Sequence, residues 1–228
     1  MRRKRLWTSV ALVLGFVALV LVGLVALVKR EPSFYGQALL SPGENRKALS
    51  QSADARYFRI NGSLDDRRWE VAYPADEINA FLQEEGSNEN LPDGFTDPRV
   101  KMEDGKMRIG LRYGKGLLST IVALELRLWK VEGEINMLAM EIVSLQAGSL
   151  PISKGTLLEF ITETVRRQNI EITWFRTNTG HPVAIMRFQA NQSRPTIQFD
   201  AIELKDGKLV VSGRSMDFVT GPAPRVQK

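Results

Sequence analysis

Side chains able to do chemistry are few and scattered along this sequence. His181 is the sole histidine and there is no cysteine, so a His-Ser-Asp triad would have to use His181. That residue lies in the turn-like TNTGHP run, and no G-x-S-x-G element occurs anywhere in the chain. A zinc site would need several carboxylates in place of the usual imidazole and thiolate ligands, so neither a metal nor a cofactor is expected. Asp76 and Glu77 are adjacent, which on a helix turns them about 100° apart, and in a first turn they serve the helix dipole. Asp65-Asp66-Arg67-Arg68 reads as a solvated turn, since glycoside chemistry demands two carboxyl groups at a defined separation across a sugar. Neither G-x-x-x-x-G-K-[ST] nor G-x-G-x-x-G is present, and the run from Gly110 to Gly116 is strand-like. The expectation is a protein with no catalytic residue, a binding or structural protein and no enzyme.

The charge belongs to one end of the chain. Residues 1–30 hold six of the 31 basic residues and none of the 26 acidic ones, so the net charge of +5 comes from this segment and the remainder is close to neutral. A basic footprint is the first requirement for phosphate-backbone binding, and its confinement here argues against nucleic acid as a partner.

Residues 7–28, WTSVALVLGFVALVLVGLVALV, contain no charged side chain. As a helix at about 1.5 Å per residue such a run reaches roughly 33 Å, enough for the hydrocarbon core of a bilayer. A cleavable signal peptide has a shorter apolar part, about 7 to 15 residues, with small residues close behind at the cut; the nearest pair here, Gly36 and Ala38, is distant. Arg2, Arg3, Lys4 and Arg5 precede the run, whereas Lys29 and Arg30 follow it beside Glu31. The heavier basic flank stays in the cytoplasm, so the expected protein is a single-pass one in the cell membrane with its C-terminal domain outside the cytoplasm.

The expected organisation is a basic flank over 1–6, a transmembrane helix over 7–28, a juxtamembrane helical neck over 29–66, an extracytoplasmic domain over 67–217 and a tail over 218–228. In the neck, Ser41-Pro42-Gly43-Glu44 supplies a helix start, and the polar stretch to about Arg59 carries only scattered apolar positions, which predicts a solvated neck with little core of its own. Trp69–Tyr73 alternates as a strand does. From Pro74 to Leu82 the pattern becomes helical, with Ile78, Phe81 and Leu82 on one face. A loop rich in Gly, Asn, Asp and Pro runs from Gly86 to Pro98.

Asp104-Gly105 joins the alternating runs Val100–Glu103 and Lys106–Tyr113 as a hairpin. Thr120–Lys130 and Ile135–Leu145 form a longer one, whose returning strand is apolar on both faces and is expected to be central. Ser153–Gln168 carries the stripe Leu157, Leu158, Ile161 and Val165 and is the natural cover. Four more strand-like runs follow: Ile170–Arg176, Val183–Asn191, Thr196–Leu204 and Lys208–Gly213, the last pair joined by Asp206-Gly207. Hairpins in place of crossovers argue for an α+β fold with curved antiparallel sheet.

The segment WEVAYPADEINAFL resembles the YpmS-like family of membrane-anchored extracytoplasmic proteins. Glu77, Ile78, Asn79, Ala80, Phe81 and Leu82 carry the match, with the Asp104-Gly105 hairpin and AGSLPIS, residues 147–153, in support; where the family has a capping Thr or Ser, this chain has Pro74. The resemblance extends over about residues 67–168 and reaches the wider group of tubular lipid-binding folds. It implies a curved antiparallel sheet wrapping a long amphipathic helix and a role in lipid handling or envelope assembly, and it transfers no catalytic residue.

Two functions are therefore expected in order. The first is a lipid-binding or other apolar-ligand module, with Leu126, Leu128, Leu138, Met140 and Ile142 as the apolar lining and the bilayer as partner through 7–28. The second is a structural component of the cell envelope that binds another envelope protein and takes no small ligand. A lipid binder should offer an apolar cavity or cleft of about 300 Å³ or more, and an interaction protein a solid domain with an exposed apolar patch.

Overall fold

Two of the three Asp-Gly pairs, those flanked by alternating runs, make the hairpin turns their composition demands. Asp104 and Gly105 have φ of 52° and 69°, and Asp206 and Gly207 have 51° and 71°, the double positive φ that fits the right-handed twist of the strands they join. The computed structural model describes residues 16, 19–62, 68–85, 91, 93–116, 119–167, 169–188 and 197–215. They form an α+β fold with two antiparallel sheets.

Helix α1 (19–29) leads into α2 (Ser33–Gln37) and α3 (Glu44–Gly62). Strand β1 (Trp69–Pro74) and α4 (Ala75–Glu84) come next, then β2 (Phe95–Glu103), β3 (Lys106–Tyr113), β4 (Thr120–Lys130), β5 (Met137–Ala147) and the two-residue β6 (Leu150–Pro151). After α5 (Gly155–Arg167) come β7 (Glu171–Arg176), β8 (Pro182–Arg187), β9 (Ile197–Lys205) and β10 (Lys208–Ser215). This is the predicted order, with α2 and β6 added.

The larger sheet runs β2-β3-β4-β5-β8-β7, with β6 on β5, and the smaller runs β1-β10-β9. Among the described residues neither sheet closes on itself. The four strands after α5 are divided: β7 and β8 extend the larger sheet, whereas β9 and β10 join β1. The returning strand β5 lies between β4 and β8, as its two apolar faces predict.

One face of the larger sheet holds the main core. Val100, Met102, Met107, Leu126 and Ile142 are buried there, and Ile78 and Leu82 of α4, Leu157, Leu158 and Ile161 of α5, Leu204 of β9 and Leu209 of β10 pack against them. A second cluster closes the smaller sheet around Trp69, Val71 and Val211, with Phe199 edge-on to Trp69.

The expected span 7–28 falls in large part outside the described residues, which include only 16 and 19–28 of it. Among the described residues no helix is long and apolar enough to cross a membrane. The described portion is helical over 19–28 and its apolar side chains face away from the domain: Leu19 is 72% and Val22 70% exposed. The expected tail 218–228 and Asp65, Asp66 and Arg67 also lie outside the described residues.

The neck departs from expectation. Phe34 and Tyr35 of α2 are buried on the opposite face of the larger sheet with Ile121 and Ala123. Gly110 makes this contact feasible, because a Cβ there would collide with the Tyr35 ring. Helix α3 has no apolar stripe, yet Ser50 and Ala53 are buried, Ser52 donates to Glu77 of α4, and Ser50 to Glu85, which caps the end of that helix. Small and polar residues hold this helix to its neighbour, a mode that hydrophobic periodicity cannot reveal.

Candidate functional site

The residues expected to line an apolar site share one face, because strand register aligns them. Leu126 pairs with Ile142 and Leu128 with Met140 across β4 and β5. Met140 then pairs with Ala184, which pairs with Trp174, so Leu128, Met140, Ala184 and Trp174 form one row across four strands. Leu138, Met186 and Ile172 form the next row.

Their burial separates them. Leu126 and Ile142 are closed into the core at 4% and 0% exposure and have no free surface to offer a ligand. Leu128, Leu138, Met140, Ile172 and Trp174 are only half-buried. The five clefts described along the surface are not lined by any of the five expected residues; the largest is lined by Trp174 and α5.

Helix α5 covers this face loosely. Its apolar stripe points at the sheet, and Leu157, Leu158 and Ile161 touch the buried cluster, yet no described side chain of α5 is fully buried. Trp174 Nε1 donates to Thr162 Oγ1 at 2.8 Å and tethers the helix to β7. Along this side runs an open cleft of about 650 Å³, with Leu158, Thr162 and Trp174 at its apolar floor and Glu159, Glu163, Arg166 and Arg167 at its rim.

The entry to α5 is held by a part-buried cation. Strand β5 bulges opposite Glu125 and Leu126, and Lys154 Nζ donates to the carbonyls of Ile142 and Val143 at 2.9 and 3.1 Å. Desolvation lowers the Lys154 pKa, with the charge of Glu141 acting in the opposite sense. The ammonium occupies the stretch of the β5 edge between its pairings with β6 and β8, where strand partners are missing.

Glu141 also gathers the groups closest to a catalytic pair. His181 Nδ1 lies 2.7 Å from Glu141 Oε1, and Arg127 Nη1 lies 3.3 Å from Oε2. The carboxylate is 8% exposed and the histidine 30%, so a buried Glu141 holds a part-exposed imidazole through Nδ1. Among the described residues no hydroxyl is hydrogen-bonded to that ring; Thr177 Oγ1 accepts from the His181 backbone N–H instead. A loop histidine is what the sequence predicts; its carboxylate partner, 40 residues away, is visible only in the fold.

The α4 residues that carry the resemblance take structural positions. Asn79 is 1% exposed and hydrogen-bonds the backbone of β2. Ile78 and Leu82 face the core, Phe81 is half-buried, and Glu77 is buried while accepting from Ser52. The segment AGSLPIS meets the apolar helix through Ser149 N, which donates to Leu27 O at 2.9 Å, and Thr120 Oγ1 of β4 donates to Val28 O at 2.6 Å beside it.

Against family models, curated proteins and solved structures the chain has no match. The YpmS-like resemblance therefore rests on the residues quoted for it.

On the opposite face, charged side chains around the Phe34 and Tyr35 cluster are paired. Arg99, 6% exposed, donates to Tyr35 O and Asp97, and its guanidinium lies 4.0 Å from the centre of the Tyr35 ring. Tyr35 OH donates to Asp97 O at 2.7 Å; burial, then the charge of Asp97, raises the phenol pKa. Glu125 accepts from Lys106 and Arg108 at 2.8 and 3.1 Å. Desolvation opposes its charge, but these two hydrogen bonds outweigh it and hold the carboxyl below its ordinary pKa.

Proposed function

We propose that this chain is a membrane-anchored, non-catalytic binding module outside the cytoplasm that takes a lipid or similar apolar ligand between α5 and the larger sheet. The observation that supports this reading is the half-buried state of both partners of that contact. An amphipathic helix on a filled core buries its stripe, yet Leu157, Leu158 and Ile161 stay part-exposed, as do Leu128, Leu138, Met140 and Trp174 opposite them. Completing their burial with an acyl chain would contribute roughly 0.8 kcal/mol per methylene. In this reading ligand binding draws the sheet further around α5, toward the curved, wrapped arrangement of the tubular lipid-binding folds.

The anchor reading is supported by α1, which is apolar over 19–28 and exposed over 19–27. A soluble domain rarely exposes an apolar surface of this kind unless it marks an interaction. The pinning of Leu27 and Val28 to the sheet would hold the domain directly at the bilayer surface, beside its ligand's source.

A second reading, an envelope interaction protein without a small ligand, is favoured by Trp129 and Phe175, exposed at 39% and 56% on the face away from α5. One experiment separates the two. The full chain in mild detergent is exposed to a photoactivatable fatty acid, and the crosslinked peptides are mapped by mass spectrometry. Crosslinks on α5 and β7 that vanish in a folded Leu158→Trp variant support the ligand site; crosslinks confined to residues 7–28 overturn it in favour of the interaction protein.

A further inference from the structure

The end of the apolar helix opens into a polar cleft of about 360 Å³, formed where residues 30–34 cross onto the sheet. Its walls include Arg30, Glu31, Arg108, Glu125, Ser144 and Gln146. Three features bear on what it holds. Its position is fixed: Leu27 O and Val28 O are hydrogen-bonded to Ser149 N and Thr120 Oγ1. Gly148, at φ +59°, lets them approach, because a Cβ there would collide with both carbonyls. The cleft therefore begins within one helical turn of the end of the expected span, at the depth of lipid headgroups.

Its charges come in balance, two arginines and two glutamates. Arg108 and Glu125 are paired with each other at 3.1 Å, whereas Arg30 and Glu31 have no ion-pair partner among the described residues. A guanidinium is suited to phosphate oxygens and a carboxylate to a primary ammonium. Below the cleft, the exposed Leu24, Val25 and Leu27 of α1 offer a path for acyl chains along the helix.

We propose that this cleft binds the headgroup of a zwitterionic glycerophospholipid carrying a primary ammonium, its phosphate on Arg30 and its ammonium on Glu31. The site rests on the membrane-anchor reading and is separate from the groove beneath α5. It would stiffen the junction by bridging the anchor's exit to the sheet.

The test uses the full chain reconstituted in nanodiscs containing equal parts of phosphatidylethanolamine, phosphatidylcholine and phosphatidylglycerol, with bound lipid read by native mass spectrometry after release. Retention of one phosphatidylethanolamine, at least tenfold over the other two, is expected. Arg30→Ala and Ser144→Trp, one removing the phosphate contact and the other filling the cleft, should each cut retention at least fivefold with unchanged melting temperature. Equal retention of the three lipids, or unaltered retention in both variants, overturns the proposal. Equally tight binding of glycerophosphoethanolamine, which has no acyl chains, overturns the lipid assignment in favour of a soluble phosphoester. Vesicle flotation is scored alongside: a chain that fails to float removes the anchor reading and this site with it, whereas one that floats without selective retention removes the site alone.

Discussion

The side-chain amide of Asn79 is joined to both backbone polar groups of Val100, Nδ2 donating to the carbonyl and Oδ1 accepting from the N–H, each at 2.7 Å. Strand β2 is an end strand of the larger sheet, and here a side chain of α4 takes the place of the missing neighbour. Both residues are buried, so the two backbone groups lose their protein partner together if the amide is removed. Asn79→Ala leaves one donor and one acceptor orphaned and should cost about 2–4 kcal/mol, read as a lower urea midpoint with unchanged slope in detergent solution. A loss under about 0.5 kcal/mol would mean that β2 is held by its apolar contacts alone.

Gly110 and Tyr35 make a second point of dependence. One edge of the Tyr35 ring occupies the space that a side chain at Gly110 would need, and the Arg99 guanidinium lies 4.0 Å from the ring centre. Gly110→Ala should displace α2 and destabilise the fold by about 1–3 kcal/mol through overpacking. Tyr35→Ala in the same background should recover part of that loss, since it removes the colliding ring. Additive losses, measured by urea denaturation of the two single variants and the double, would show that the two residues do not share one contact.

The Glu125 carboxyl gives the fold a pH dependence of known sign. Its folded pKa lies below its ordinary value of about 4.5 because the hydrogen bonds from Lys106 and Arg108 outweigh desolvation. The unfolded chain therefore takes up the proton first as pH falls. The contribution of Glu125 is complete above about pH 4.5 and lost as pH drops through the folded value. The melting temperature should fall below about pH 4.5 more steeply in the natural chain than in Glu125→Gln. Parallel profiles would remove Glu125 as a source of acid sensitivity.

Local signals carried most of the fold. Asp104-Gly105 and Asp206-Gly207 announced their turns, the Leu157, Leu158, Ile161 and Val165 stripe announced α5, and WEVAY announced β1. Signals spread over long separations did not. Nothing in α2 says that Tyr35 will find Gly110, nor that His181 will meet Glu141, because each contact depends on strand register set elsewhere. Strand β2 was half hidden: it begins at Phe95, inside a stretch whose Asp and Pro read as loop, because a bulge with Asp97 at φ 54° absorbs them. For the candidate site, alternation sufficed to put Leu126, Leu128, Leu138, Met140 and Ile142 on one face. Which of them the core would close could not be read, since burial of Leu126 and Ile142 depends on α4, β9 and β10, elements distant in sequence.

The junction of α1 with the sheet yields the prediction that bears most on how the domain is carried. Leu27 O accepts from both Arg30 N and Ser149 N, and Val28 O from Thr120, so the last carbonyls of the helix, which have no partner within it, are taken by the sheet. Gly148 alone permits this approach: its φ is +59°, and any Cβ would strike the Leu27 and Val28 carbonyls. Gly148→Val adds left-handed strain of about 1–2 kcal/mol to that collision and should release the helix end while the distant core stays folded. Hydrogen exchange should then accelerate at Ser149 and Arg30, with Val100 and Ile142 unchanged, and a spin label at Ser33 should gain mobility. Thr120→Val, which removes one hydrogen bond without a collision, should give a smaller change in the same direction. If Ser149 exchanges at the natural rate in Gly148→Val, the helix is not held by this turn, and a rigid coupling between the apolar segment and the domain has to be abandoned.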